Sequence, residues 1–347
     1  MTSNLKRIAA FAAASVLASI SAVGANDGYA ALGAGGIVLM NSDDIRMASE
    51  DLFISEKVIR VKYVFINDSP APITARVAFP MPKDELFESG GIAGYRMMSK
   101  GDGAPLGFTV FVDGMEIEPE VERKAFHDGK DVTQTLNELG VPILYPSPEL
   151  AAAIAALPTS TRDALISRNL ASATPQPDGT VSYDFYWTVQ HIYHWEQTFP
   201  AGRPLRVEHE YQPATGASYD IFYEPITDAS DLRGLFSEEG AYCIDEWIAK
   251  GIARRVNASL AEMPADATDE DWPGYHVGIS YIDYVLSTAT TWKGPIGRFK
   301  LTVDKGRSQN IVSMCMGGFE KTGPTTFTTW RRNFEPAKDL KILILSF

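Results

Sequence analysis

Between residues 59 and 79, and again between 183 and 211, apolar and polar side chains alternate with period two, and this pattern limits the fold more than any other feature of the chain. A period of two is the signature of half-buried strands. Ile59, Val61, Tyr63 and Phe65 share one face, with Arg60 and Lys62 on the other. Asn67-Asp68-Ser69-Pro70 breaks the run, and Ile73, Ala75, Val77 and Phe79 resume it up to Pro80-Met81-Pro82. A second hairpin is expected where Phe108, Val110 and Val112 precede Asp113-Gly114, a dipeptide suited to the positive φ angles of a type I′ turn. Met115, Ile117 and Val121 then alternate with Glu116, Glu118, Glu120 and Glu122, a solvated strand face. Pro119 assigns that strand to a sheet edge. Tyr183, Phe185, Trp187, Val189, His191, Tyr193 and Trp195 fall on one parity. Beyond the turn at Pro200-Ala201-Gly202, Leu205, Val207, His209 and Tyr211 return on one face.

Helical patterning interrupts the strands twice. Residues 131–170 read as a helical insertion. Asp131 and Gly140 bracket a helix carrying Val132, Leu136 and Leu139, Ser147-Pro148-Glu149 opens a second, and Thr159 or Ser160 opens a third carrying Leu165, Ile166 and Leu170. The second interruption spans Tyr242–Val256, with Ile244, Trp247, Ile248 and Ile252 facing inward and Arg254-Arg255 in the last turn, where cations suit the helix dipole. After an acidic linker, Asp266–Asp271, strands are expected near 277–289, 298–303 and 311–316, with a final strand at Leu340–Leu345. The fold class is mainly β (α+β): antiparallel β-sandwich-type domains with a helical insertion and one further helix. Pro213-Ala214-Thr215-Gly216 divides a sandwich-like domain, 26–215, from a second β-rich domain, 216–347, and the two are free to pack as one unit.

The first 25 residues fit neither domain. Lys6 and Arg7 precede the apolar stretch Ile8–Ile20, and Val23-Gly24-Ala25 supplies the small residues of a signal-peptidase site. Cleavage near Ala25 and a periplasmic or secreted product are expected. No later stretch is apolar enough to cross a membrane as a helix. Losing Lys6 and Arg7 takes the formal charge of −13 to −15, which argues against a nucleic-acid partner. In an oxidising compartment the only two cysteines, Cys243 and Cys315, are expected to form one disulfide closing a loop of about 70 residues.

Chemical motifs are sparse. His191 and His194 would share a helix face, but on a strand they point to opposite sides, and His209 is expected near His191 across the strand pair. Two histidines among Trp and Tyr are more simply hydrogen-bonded core than ligands, and no third ligand is visible. Neither a metal site nor a cofactor is expected. Gly33-Ala34-Gly35-Gly36 leads into a strand rather than a helix, unlike a phosphate-binding loop. Gly-x-Ser-x-Gly is absent, and no acidic cluster has the spacing of an EF-hand. The terminal Leu343, Leu345 and Phe347 have the look of an outer-membrane barrel's last strand, but the helices and the short Pro-broken strands argue against a barrel.

Several ordered motifs resemble a bacterial exported family called domain of unknown function 4424. They are Asn26-Asp27-Gly28-Tyr29-Ala30-Ala31-Leu32-Gly33-Ala34-Gly35-Gly36-Ile37, Met47-Ala48-Ser49-Glu50-Asp51-Leu52, and the strand pair ending Phe79-Pro80-Met81-Pro82. Trp292-Lys293-Gly294-Pro295-Ile296, Phe299-Lys300-Leu301, Cys315, Lys321 and Phe334-Glu335-Pro336 follow. Gly28 departs from the small hydroxyl residue expected there. The resemblance implies no activity, so it transfers no catalytic residue. The strand pair also resembles, at fold level alone, the β-sandwich of vault-type inter-α-trypsin domains.

The expected function is therefore a non-catalytic binding or envelope-assembly module, with an envelope protein or polymer as partner. The alternatives are a hydrolase of envelope polymers, acting through carboxylates or through His191 and His209, and more remotely an outer-membrane barrel. Trp187, His191, Trp195, His209 and Trp292 are the candidate ligand-binding positions. The hydrolase form built on His191 and His209 requires at least one of them to reach solvent.

Overall fold

The computed structural model describes residues 28–33, 36–81, 107–144, 148–213, 215–232, 242–262 and 274–347. The expected signal segment, residues 82–106 and the acidic stretch Asp266–Asp271 lie outside the described residues. The chain is mostly β, as the alternation requires.

Three sheets make the body. The largest has eight strands in the order β18 (Glu320–Lys321), β19 (Thr326–Phe334), β16 (Ile296–Asp304), β3 (Ile45–Ser55), β4 (Ile59–Asn67), β13 (Pro204–Tyr211), β6 (Thr109–Val112) and β7 (Met115–Ile117). The second runs β2 (Gly36–Leu39), β1 (Gly28–Gly33), β5 (Ile73–Pro80), β12 (Thr188–Phe199), β8 (Glu120–His127) and β9 (Lys130–Asp131). The third runs β14 (Thr215–Phe222), β15 (Tyr275–Tyr284), β20 (Leu340–Ser346) and β17 (Ile311–Met314). A separate hairpin joins β10 (Ala171–Pro175) to β11 (Val181–Phe185). Among the described strands every pairing is antiparallel except β3 with β16, which are parallel. Among the described strands each sheet has an open, linear order.

One continuous core joins the layers. Val61, Tyr63 and Phe65 of the eight-stranded sheet pack with Val77 and Phe79 of the six-stranded one, and with Ile282, Tyr284, Ile342 and Ile344 of the four-stranded one. The opposite parity of β15 and β20 (Val277, Ile279, Leu343, Leu345) faces a helix, so the four-stranded sheet is buried on both sides. This explains the near-continuous apolar run at 342–345. The eight-stranded sheet takes strands from both sides of position 215, through the β3–β16 contact.

That contact depends on a glycine. The β3–β4 register shifts at a bulge between Met47 and Ser49, and a Cβ on Gly297 would lie 2.7 Å from the Ala48 carbonyl oxygen. At the β6–β7 turn, Asp113 (φ 48°) and Gly114 (φ 83°) both adopt positive φ, as a type I′ turn demands. β7 is an edge strand, and Pro119 ends it before the chain crosses to the other sheet as β8.

The helical insertion is α1 (Thr133–Glu138), α2 (Pro148–Ala155) and α3 (Thr159–Ser167). The Asp131 carboxylate accepts from the Thr133 N–H at 2.9 Å, and Gly140 (φ 67°) follows α1. Leu136, Leu150, Ile154 and Leu165 bury against Trp187 and Val189, whereas Ile166 is exposed. The further helix is α4 (Glu246–Ala261), whose buried face is Ala249, Ile252, Ala253 and Val256.

Besides the strand expected over 115–122, which is divided between β7 and β8 in different sheets, three expectations about connectivity change. The run 183–195 is not one strand. It breaks at Tyr186 and Trp187, where the Tyr186 N–H turns to the Leu170 carbonyl and the Trp187 indole donates to Leu144. The segments before and after Asn67–Pro70 are not a hairpin, because β4 and β5 belong to different sheets. Likewise Pro200-Ala201-Gly202 carries the chain from β12 in one sheet to β13 in the other.

Candidate functional site

The five aromatic and histidine positions singled out in the sequence are all interior, between 1% and 6% exposed. Trp187 anchors the helical insertion. Trp292 packs its ring 4.7 Å from Phe65 and 5.7 Å from Phe199. His209 lies among Tyr63, Phe79, Phe108 and Trp195, with ring centroids 4.9–5.7 Å away. His191 sits in the other sheet, where Arg123 Nε donates to its Nε2 at 3.3 Å. The sheet crossing at Pro200–Gly202 therefore prevents the cross-strand histidine pair that the sequence suggested. Neither imidazole reaches solvent, so a hydrolase working through His191 and His209 has no accessible base. The described residues contain no group of three or more His, Cys, Asp or Glu placed to hold a metal ion.

Among the described residues a concave surface lies elsewhere, between α4 and β17. Asp245 caps α4, its carboxylate accepting from the Ile248 N–H at 2.8 Å, and Glu246 adds an acid to the first turn. This cap starts the helix four residues later than Tyr242 and lets it run to Ala261. Trp247 thereby rotates outward and is 81% exposed rather than core. Arg254 and Arg255 fall mid-helix rather than in the last turn.

Positions 247, 250, 251 and 254 form one i, i+3, i+4, i+7 stripe, and it faces a cleft of about 700 Å³. The opposite wall is β17 and the segment after it, with Ile311, Met314, Met316 and Phe319, and Phe327 of β19 closes one side. Cys243 and Cys315 are bonded across the end of the cleft (S–S 2.01 Å, Cα–Cα 5.0 Å). Ser313 Oγ donates to the Tyr242 carbonyl at 2.7 Å, a second tie between the walls. Arg331 donates to the Gly317 carbonyl and fixes the segment beyond Cys315.

The cleft's electrostatics run against the chain's. In a protein of formal charge −13, its described lining carries Lys250, Arg254, Arg255 and Lys305 against one acid, Asp245. Lys250 pairs with Glu246 at 2.5 Å. Arg255 lies over the Phe347 ring at 5.6 Å. Lys305 is only 8% exposed. Its Nζ donates to the carbonyls of Ser308 (2.8 Å) and Asn310 (2.5 Å) and stands 5.8 Å from the Phe327 ring centroid. Burial, with the nearby charges of Arg255 and Lys321, lowers its pKa from the ordinary lysine value.

Nothing in the sequence singled out this cleft. Arg254 and Arg255 read as dipole partners, Trp247 as core, and Lys305 carried no motif. Only the predicted Cys243–Cys315 bridge pointed to the neighbourhood.

Among known proteins, a family model described as a domain of unknown function (DUF4424) matches residues 25–343. No curated protein matches the chain. A solved Legionella pneumophila protein, provisionally named as nutrient binding, is 15% identical, with 93% of this chain and 70% of that one covered at a TM-score of 0.43. An M1 zinc metallopeptidase from Deinococcus radiodurans is 8% identical, with 88% and 43% covered at a TM-score of 0.22. At these scores neither likeness bears on function.

Proposed function

The chain belongs to the DUF4424 family, and from that premise we propose that it is an exported, non-catalytic binding module whose site is the cleft between α4 and β17. One observation carries this reading: a preformed hollow of about 700 Å³, mostly apolar, with a few convergent polar groups. Small-molecule sites are of that kind, at roughly 300–1,000 Å³. The only acid among its described lining residues, Asp245, is engaged as the α4 cap, which leaves cations and apolar surface facing the hollow. That composition suits retention of a ligand better than proton transfer.

Export is part of the proposal. Cleavage near Ala25 would deliver the chain to the periplasm or beyond, and a bonded Cys243–Cys315 pair is at home in such an oxidising compartment. We also propose that segments 26–215 and 216–347 fold as one unit, since the eight-stranded sheet draws on both.

The test is to incubate the purified mature protein with the small-molecule fraction of bacterial envelopes, repurify it, and weigh it under native and denaturing conditions. A non-covalent adduct is expected, released intact on unfolding and missing from Gly251→Leu, which fills the cleft from the helix side. An adduct recovered as a chemically converted product would make the protein an enzyme instead.

A further inference from the structure

The charge and shape of the cleft narrow its ligand. Arg254, Arg255 and Lys305 have no ion-pair partner among the described residues, although the chain has 44 acids against 31 bases. A buried ammonium is ordinarily matched by a carboxylate, because desolvating an uncompensated charge is costly. Among the described residues the partners of the Lys305 ammonium are two neutral carbonyls and an aromatic face, and the charges of Arg255 and Lys321 act on it in the same sense as its burial.

Around this cationic end the walls are apolar and adaptable. Met314 and Met316 are soft, unbranched side chains that reshape around irregular partners. Ile311, Phe319 and Phe327 extend the same surface, and the exposed Trp247 stands on the α4 wall. A purely polar anion would leave these walls wet, and an apolar molecule alone would leave the cations unmatched.

We infer that the cleft binds a single-chain amphiphile with a carboxylate head, its chain along Ile311, Met314, Met316 and Phe319 and its head toward Arg254, Arg255 and Lys305. The inference rests on the binding reading above and goes further by naming the ligand class. The two guanidinium groups supply the forked donors that match a carboxylate, and Lys305 adds a point charge.

The probe pair is dodecanoate and dodecyltrimethylammonium, each below its aggregation threshold, titrated into the full mature protein by calorimetry and by tryptophan fluorescence. Dodecanoate is expected to bind at least about tenfold more tightly than the cation, as charge-assisted hydrogen bonds to one head group would give. Its affinity should fall as salt is raised. Trp247→Phe should abolish the fluorescence change while the calorimetric signal remains. Arg254→Gln with Arg255→Gln, at an exposed and a partly exposed position, should remove most of the preference while the protein still unfolds in one cooperative thermal transition. Equal binding of both amphiphiles would overturn the anionic head yet leave the binding reading intact. Binding of neither, with fluorescence unmoved, would overturn this inference. If the envelope fraction also yields no adduct, the binding reading falls with it.

Discussion

Ile311 holds its Cδ1 3.6 Å from the place a Cβ would take on Gly251, so the helix and strand that wall the cleft meet at a residue without a side chain. The contact is ordinary van der Waals distance, and the Gly251 backbone is helical. Gly251→Ala is therefore expected to stabilise the fold by about 0.5–1 kcal/mol, the usual helix-interior gain. A denaturant midpoint that falls instead would mean the helix already touches β17 more tightly than the structure indicates.

The opposite outcome is expected at Gly297. Its Cβ would approach the Ala48 carbonyl oxygen to 2.7 Å, and a backbone atom inside a sheet has little room to retreat. Gly297→Ala should cost about 1–3 kcal/mol, the range of overpacked sites. Because β16 joins β3 here, the loss should appear as one cooperative transition at a lower denaturant midpoint.

Removing the Cys243–Cys315 bond tests both stability and the site. The cysteines are 72 residues apart, and the chain-entropy model gives a loop of that size about 4 kcal/mol. Cys243→Ser with Cys315→Ser should lower the midpoint by a corresponding amount and speed hydrogen exchange first in α4. Two thiols that alkylate without reduction in protein isolated from cells would contradict both the bridge and the exported location.

His194 sets an acid limb. Its pKa is lowered, mainly by burial, with Arg76 adding to the effect and Glu120 and Glu122 opposing it. Arg76 Nη1 and His194 Nδ1 lie 2.9 Å apart, so the fold holds the imidazole neutral as an acceptor. The unfolded chain then binds a proton the folded one refuses, so stability is full above the ordinary value of 6.5 and falls as pH drops below it. Denaturant midpoints measured down to about pH 5 should decline less steeply in His194→Gln than in the native chain. Parallel slopes would show that His194 contributes nothing to the decline.

A fragment ending at residue 215 is expected not to fold. It would keep β3 but lose β16, β19 and the four-stranded sheet, exposing Leu52, Ile54 and Tyr63 on one face. A sharp unfolding transition in that fragment would restore two independent domains.

Strands and their faces were legible because period two reports directly on side-chain direction. Ile59 to Phe65 and Leu205 to Tyr211 point inward as read. Sheet membership was not legible, since a turn such as Pro200–Gly202 has the same composition whether the chain doubles back or crosses to the facing sheet. The aromatic run from Trp187 to Trp195 misled for a related reason: alternation cannot tell a face covered by another layer from one open to ligand. Trp247 was read inward because an apolar residue beside Ile248 fits a helical stripe, but the Asp245 cap fixes the phase that turns it out. The cleft escaped detection because its walls lie some 60 residues apart in sequence and its cations follow no motif.

The central claim, that α4 and β17 enclose the binding site, is tested most directly by hydrogen exchange on the mature protein with and without the envelope small-molecule fraction. Slower exchange confined to residues 246–256 and 311–317 is the predicted result. Protection centred on Thr188–Trp195, or no change anywhere, would contradict it.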